Sequence, residues 1–234
     1  GWHIECSAMI EAHLGTTIDI HGGGHDLIFP HHENELAQST CAHHGAPFAG
    51  IWMHNGFLTM DKEKMSKSLG NIVTVHELVN DTPGEALRWA LLGAHYRQPL
   101  DWSDDSVAQA KRTLDRLYGA LEQVSAIDAD ETAAPRAVAE ALEDDLNTPK
   151  AMAEISAIAK SLNQASTEPE RARLKGELLA AGDLLGVLQQ SPKVWFAREA
   201  KAASVDAAEV ERLIAARITA RKVRDFREAD RLRD

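Results

Sequence analysis

An α/β region followed by an all-α region is the fold class the sequence predicts, and three observations predict it. All 11 histidines lie between His3 and His95, and both cysteines, Cys6 and Cys41, fall in the same stretch, so the chain is chemically in two parts. Before about residue 102, β-type apolar runs alternate with helix signals, the pattern of a partly parallel sheet. From Ser103 onward, apolar residues recur at spacings of three and four with no strong strand signal between them.

In chain order, Ser7 to Leu14 carries Met9, Ile10 and Leu14 with Gly15 just beyond, which reads as a short helix ended by a glycine. That places Cys6 at a helix start, where a thiolate is favoured. Thr17 to Ile20 reads as a strand running into His21-Gly22-Gly23-Gly24-His25-Asp26, a loop at the strand's C-terminal end, where open α/β sheets bind ligands. Pro30 suits the first turn of a helix continuing to about His44, and Ile51 to Phe57 reads as another strand. Thr82-Pro83-Gly84-Glu85 combines an N-cap, a proline at the first helical position and a capping-box glutamate, opening a helix that buries Ala86, Leu87, Ala90 and Leu91.

The second part is read as a helical bundle. Its apolar stripes are Val107, Ala110, Leu114, Leu117, Leu121 and Val124, then Met152, Ile155, Ala159 and Leu162, then Leu174, Leu178, Ala181, Leu185 and Leu188. Thr148-Pro149 starts the second helix, and Asp206 with Glu209 caps a further one. The last segment, from Glu211, holds eight Lys or Arg against five acids. Arg217, Arg221, Lys222, Arg224 and Arg227 there form either a strip for RNA or a solvated, ion-paired helical face.

Composition bounds the function. With 44% hydrophobic and 26% charged residues in 234, the chain can bury a real core. No apolar run approaches the ~20 residues of a membrane span and no signal segment opens the sequence, so the expected compartment is the cytoplasm. Two cysteines are too few to staple a secreted scaffold. A net charge of −11 argues against a general nucleic-acid coat protein, and any nucleic-acid partner must use a local patch; no DNA partner is expected. The abrupt start in Gly1-Trp2-His3, without methionine, suggests a piece of a longer protein.

Two constellations could carry chemistry. Lys64-Met65-Ser66-Lys67-Ser68, followed by Leu69-Gly70-Asn71, packs two ammonium groups, two hydroxyls and a glycine together, which suits a phosphate-gripping loop or a plain basic surface loop. His31 and Glu35 stand four apart on a predicted helix and so share a face; with Cys6 they supply the imidazole, carboxylate and thiolate that zinc takes, although such a pair is also common on surfaces. Cys41, His43 and His44 could be drawn as a second cluster, but Cys41 reads better as a packed thiol beside Leu36 and Ala37. His21 to Gly24 resembles an esterase oxyanion segment, yet no G-x-S-x-G elbow, H-E-x-x-H or Walker loop occurs.

Taken together, Gly1-Trp2-His3-Ile4-Glu5-Cys6-Ser7-Ala8-Met9, Asp19 to Gly24, Asp26 to Glu35 with its Pro30-His31-His32-Glu33-Asn34-Glu35 run, and Lys64 to Ser68 resemble the C-terminal portion of a cysteinyl-tRNA synthetase. The resemblance is dense over residues 1 to about 100. It is looser at Glu143 to Pro149 and at the closing Ala229 to Asp234.

The resemblance implies the second half of a Rossmann-type catalytic domain over 1–75, a connecting helical region over 76–102, and a tRNA-facing helical bundle over 103–234. It implies ATP-dependent activation of cysteine and its transfer to tRNA(Cys), with ATP and Mg2+ as substrate and one zinc per chain. Lys64 and Lys67 match the KMSKS lysines that stabilise the pyrophosphate leaving group. Cys6, His31 and Glu35 match zinc ligands, with an open position for the substrate thiolate. His21, Gly22, Gly24 and Asp26, with Lys67 and Ser68, match nucleotide-binding positions, and Trp2 and His54 line up around the amino-acid pocket. The family's HIGH signature and its first zinc-ligating cysteine are expected upstream, so the chain alone is expected to be inactive. Two further readings stand beside this one: a ligase joining cysteine to an amino sugar in mycothiol synthesis, and a non-catalytic metal- or RNA-binding module.

Overall fold

The computed structural model describes residues 1–60, 63–64, 73–202 and 207–222, with side chains at 1–60, 73–197 and 212–219. Helix α1 (Trp2–Leu14) leads into strand β1 (Ile18–Gly24); an irregular turn over His25–His32 then leads into α2 (Glu33–Ala42), and β2 (Ala49–Asn55) follows. The two strands pair in parallel, Ile18 opposite Ala49 and Gly24 opposite Asn55. Parallel neighbours cannot be joined by a tight turn, so the segment between them carries α2. Ser7 Oγ donates to Gln38 Oε1 at 3.0 Å and ties α1 to α2.

Several boundaries differ from the sequence reading, each for a local reason. Helix α1 starts at Trp2 rather than Ser7: no breaker interrupts Trp2 to Cys6, and Glu5 lies in the first turn, where the helix dipole favours an acid. Cys6 is therefore inside the helix, not at its start. The glycines expected as a loop are strand, because Gly22, Gly23 and Gly24 pair with Met53, His54 and Asn55. A Cβ on Gly22 would lie 2.6 Å from the Met53 carbonyl oxygen, so only glycine lets β2 pass this close. Pro30 does not open a helix: Phe29 before it is extended (φ −137°, ψ 133°), as residues preceding proline tend to be, and α2 begins only at Glu33.

Short strands β3 (Leu58–Met60), β4 (Glu63–Lys64) and β5 (Leu100–Trp102) form a second sheet in the order β4-β3-β5, with β3 antiparallel to β4 and parallel to β5. Lys64 pairs with Thr59 in this ladder, while Lys67 and Ser68 lie outside the described residues. Helix α3 (Val75–Asp81) opens on a capping box of Thr74 and Glu77, whose hydrogen bonds to Thr74 hold the Glu77 carboxyl below its usual range. Helix α4 (Gly84–Leu92) buries Ala86, Leu87 and Ala90 as expected but leaves Leu91 exposed.

The bundle comprises α5 (Asp104–Gln123), α6 (Arg136–Glu143), α7 (Thr148–Gln164) and α8 (Glu168–Leu185). The predicted stripes form its core: Leu114, Ile155, Leu178 and Ala181 are fully buried, beside Tyr118, Val138 and Ala141. Helix α6 was not legible as a separate element, since it is only eight residues long. Leu188 is buried but lies past the left-handed cap at Gly186, with its own φ at +60°. Fold order thus matches the expectation, an α/β region followed by helices. Two compact units emerge, Gly1–Gln189 and Gln190–Asp234. The second carries α9 (Pro192–Ala202) and α10 (Ala207–Lys222), which includes Glu209, Arg217, Arg221 and Lys222; Asp206, Arg224 and Arg227 fall outside the described residues. Among the described residues, no helix is long and apolar enough to cross a membrane.

Candidate metal centre and the histidine cluster around it

Ligand atoms of Cys6, His31 and Glu35 lie within 4.8 Å of one another. They come from three elements: the second turn of α1, the irregular turn before α2, and the first turn of α2. The four-residue spacing puts His31 Nε2 2.6 Å from Glu35 Oε1, although His31 itself precedes the regular helix. Only 1% of the Glu35 side chain is exposed. A buried carboxylate is costly unless it is paired or coordinates a metal, so this position has a physical demand for cationic or donor partners. Burial raises the Cys6 thiol pKa, and the neighbouring Glu35 carboxylate raises it further. The helix-start thiolate expected from sequence is thus replaced by a protonated thiol that a metal would have to deprotonate. Thiolate, imidazole and carboxylate are all normal zinc donors, so the set fits that ion.

Histidines surround this triad. His21, in the middle of β1, directs Nε2 at Glu35 Oε2, 2.8 Å away, and packs 4.6 Å from His32, 5.0 Å from Trp52 and 5.3 Å from Phe48 by ring centroids. His32 is buried and its Nδ1 lies 2.8 Å from Nε2 of His54 on β2. Burial lowers the pKa of both, with other histidines nearby adding to the effect, so two neutral rings share one donated proton. His21, His32 and Glu35 also have ligand atoms within 4.8 Å of one another, a second set sharing Glu35 with the first. Among the described residues these are the two such sets; Cys41, His43 and His44 do not form one. Cys41 is exposed rather than packed, and His43 bonds the Ser39 carbonyl and Glu11 instead.

Of the other sequence-predicted residues, Trp2, Gly22, Gly24 and Asp26 lie near this cluster, whereas Lys64 is in β4 and Lys67 and Ser68 fall outside the described residues. Trp2 sets its ring 4.2 Å from that of His31 while remaining largely exposed. Gly22 and Gly24 lie in β1, and Asp26, exposed in the following turn, folds its carboxylate over Gly24, where a Cβ would meet Oδ1 at 2.5 Å. His21 was expected beside the nucleotide, and the structure sets it against Glu35. Sequence reasoning missed His32 and its tie to His54; the tandem Pro30-His31-His32 was the available signal, but nothing in it says which histidine faces which strand.

Comparison with known proteins bears on what this site belongs to. Residues 1–112 match the family described as tRNA synthetases class I (C) catalytic domain, and residues 137–189 match the DALR domain. The cysteine–tRNA ligase of Parvibaculum lavamentivorans is 63% identical over 235 residues, and that of Xanthomonas campestris pv. campestris 58% over 233; each alignment takes in 100% of this chain and 50% of the relative. The chain thus spans about half the length of the curated relatives it matches. In a crystal structure of a LeuRS–tRNA–LeuAMS ternary complex from Agrobacterium radiobacter K84, the fold is similar at a TM-score of 0.57 and 20% identity, covering 72% of this chain and 25% of that one.

Proposed function

Given that the chain belongs to the cysteine–tRNA ligase family, in a stretch about half as long as its curated relatives, we propose that it forms part of an enzyme that activates cysteine with ATP and transfers it to tRNA(Cys). The single observation that carries the amino-acid assignment is the convergence of half-buried Cys6 with buried His31 and Glu35 at one point beside His21 of β1.

In this reading those three side chains hold one zinc ion, which when bound supplies a soft Lewis acid for the substrate sulfur. Serine is nearly isosteric with cysteine, and shape alone would separate them poorly; a hydroxyl is a hard, high-pKa donor that competes badly with a thiolate for zinc. Trp2 over His31, and His54 held by His32, form the sides of the amino-acid pocket. Gly22 and Gly24 keep β1 free of side chains so that a nucleotide can approach the backbone in the segment opened by His21, and Asp26 accepts from a ribose hydroxyl. Lys64 and Lys67, with Ser68, grip the phosphates of Mg2+–ATP and stabilise charge on the departing pyrophosphate as the cysteine carboxylate attacks the α-phosphate. Residues 1–75 serve as catalytic half-domain, 76–102 as connection and 103–234 as the tRNA-facing bundle, and the chain acts within the longer protein rather than alone.

Cysteine-dependent ATP–pyrophosphate exchange and cysteinylation of tRNA(Cys) by the full-length protein, with one zinc per chain by metal analysis, is the direct test. Cysteine transfer to an amino sugar in place of tRNA, or exchange unaffected by zinc removal, would overturn it.

A further inference from the structure

We propose that His21 is a positioning residue that holds Glu35 in place as a metal ligand, an inference that rests on the zinc reading above. Glu35 divides its two oxygens: Oε1 faces His31 Nε2 at 2.6 Å and Oε2 faces His21 Nε2 at 2.8 Å. His31 Nε2 cannot both bind a metal and donate to Oε1. With that nitrogen and the Cys6 sulfur turned to a metal, His21 is the remaining described side chain within hydrogen-bond reach of a carboxylate that is almost fully buried. A ligating carboxylate whose other oxygen is held by a hydrogen bond keeps its orientation, and losing such a partner typically weakens metal binding.

The ring of His21 is itself fixed. It projects from β1 at the position paired with Trp52, meets the Trp52 ring edge-on at 84°, and is flanked by Phe48 and His32. Strand pairing and aromatic packing therefore set where Nε2 points, independently of Cys6 and His31. The alternative, in which His21 and His32 bind the ion with Glu35, uses no sulfur. It would leave Cys6 as a thiol beside the shared carboxylate. An orienting role for His21 leaves each of these contacts intact.

The test uses the full-length protein and two variants. His21→Phe keeps an aromatic ring between Phe48 and Trp52 but removes the donor; His21→Gln keeps an N–H near the position of Nε2. Zinc affinity is measured by competition with a chromophoric chelator, and cobalt substitution reports the ligand set. His21→Phe is expected to weaken zinc binding by roughly 10- to 100-fold and His21→Gln by only a few-fold, as outer contacts of metal ligands do. The cobalt–thiolate charge-transfer band and the ligand-field intensity should persist in both, while Cys6→Ser loses the band. Wild-type affinity in His21→Phe overturns the inference, and so does a changed ligand-field spectrum, which would make His21 a direct ligand. A wild-type full-length protein that takes up no zinc overturns the zinc reading and the inference with it, whereas wild-type affinity in His21→Phe overturns the inference alone, which separates the two failures.

Discussion

Glu85 on α4 accepts the hydroxyl of Tyr118 on α5, with its two carboxylate oxygens at 2.8 and 3.0 Å, inside the core. The same carboxylate accepts the backbone N–H of Leu188 at 2.8 Å and of Gln189 at 3.2 Å. One side chain therefore joins α4, α5 and the turn after α8, and it steadies Leu188 in a left-handed conformation that costs a non-glycine residue about 1–2 kcal/mol.

Removing this carboxylate should destabilise the first unit well beyond a surface change. Glu85→Ala leaves two backbone N–H groups and a hydroxyl without their acceptor, an expected loss of about 3 kcal/mol or more. Tyr118→Phe, which removes one charge-assisted bond and keeps the ring, should cost about 1.5–3 kcal/mol. Urea unfolding of the 234-residue chain reads both, and a Glu85→Ala midpoint equal to wild type would show that the carboxylate carries no structural load.

Acid should loosen the contact between the segment after α4 and the turn after α6. Arg97 donates to both oxygens of Asp145, at 2.6 and 3.0 Å, and Tyr96 adds a bond at 2.7 Å. These hold the Asp145 carboxyl down at about 2, from an ordinary 3.8, Arg97 contributing most. A depressed carboxylate stabilises the fold above its unfolded pKa and loses that contribution as pH falls through the folded value, so the effect appears between about pH 4 and 2. Asp145→Asn should flatten the stability curve across that window while keeping the backbone, since asparagine tolerates the φ of +53° found here. Thermal melts across pH for the two proteins give the comparison.

Exchange chemistry should depend on Lys67 more than on Lys64. Neutralising a charge aimed at a developing negative charge typically costs ~10²-fold or more in rate, so Lys67→Ala in the full-length protein should lower pyrophosphate exchange by at least that much. Near wild-type exchange would remove the loop from the mechanism.

Selectivity should follow the sulfur ligand. Cys6→Ser in the full-length protein is expected to lose zinc and, with it, the preference for cysteine over serine in adenylate formation. Retained discrimination in a zinc-free variant would assign selectivity to pocket shape instead.

Particular residues show how far the sequence could be read. Leu114, Ile155 and Leu178 were legible as core because a helix repeats its faces every three to four residues, and their burial follows from local spacing. Glu85 was misread as a capping-box residue: the sequence around it satisfies the local rule, but Pro83 takes the N-cap and the carboxylate turns inward to partners 33, 103 and 104 positions away. Cys41 failed in the opposite direction, a residue of apolar habit left exposed.

By itself, the sequence determined the division into an α/β part and a helical part, the helix stripes, and the chemical types gathered near Cys6, His31 and Glu35. These rest on short-range periodicity and on residue identity. Tertiary structure alone decided that β1 runs through its glycines against β2, that Cys6 sits inside a helix as a half-buried thiol beside Glu35, and that His21 faces Glu35 while His32 faces His54. The physical reason is that strand pairing and desolvation join residues far apart in the chain, and a carboxylate's second partner is set by which strand passes beside it.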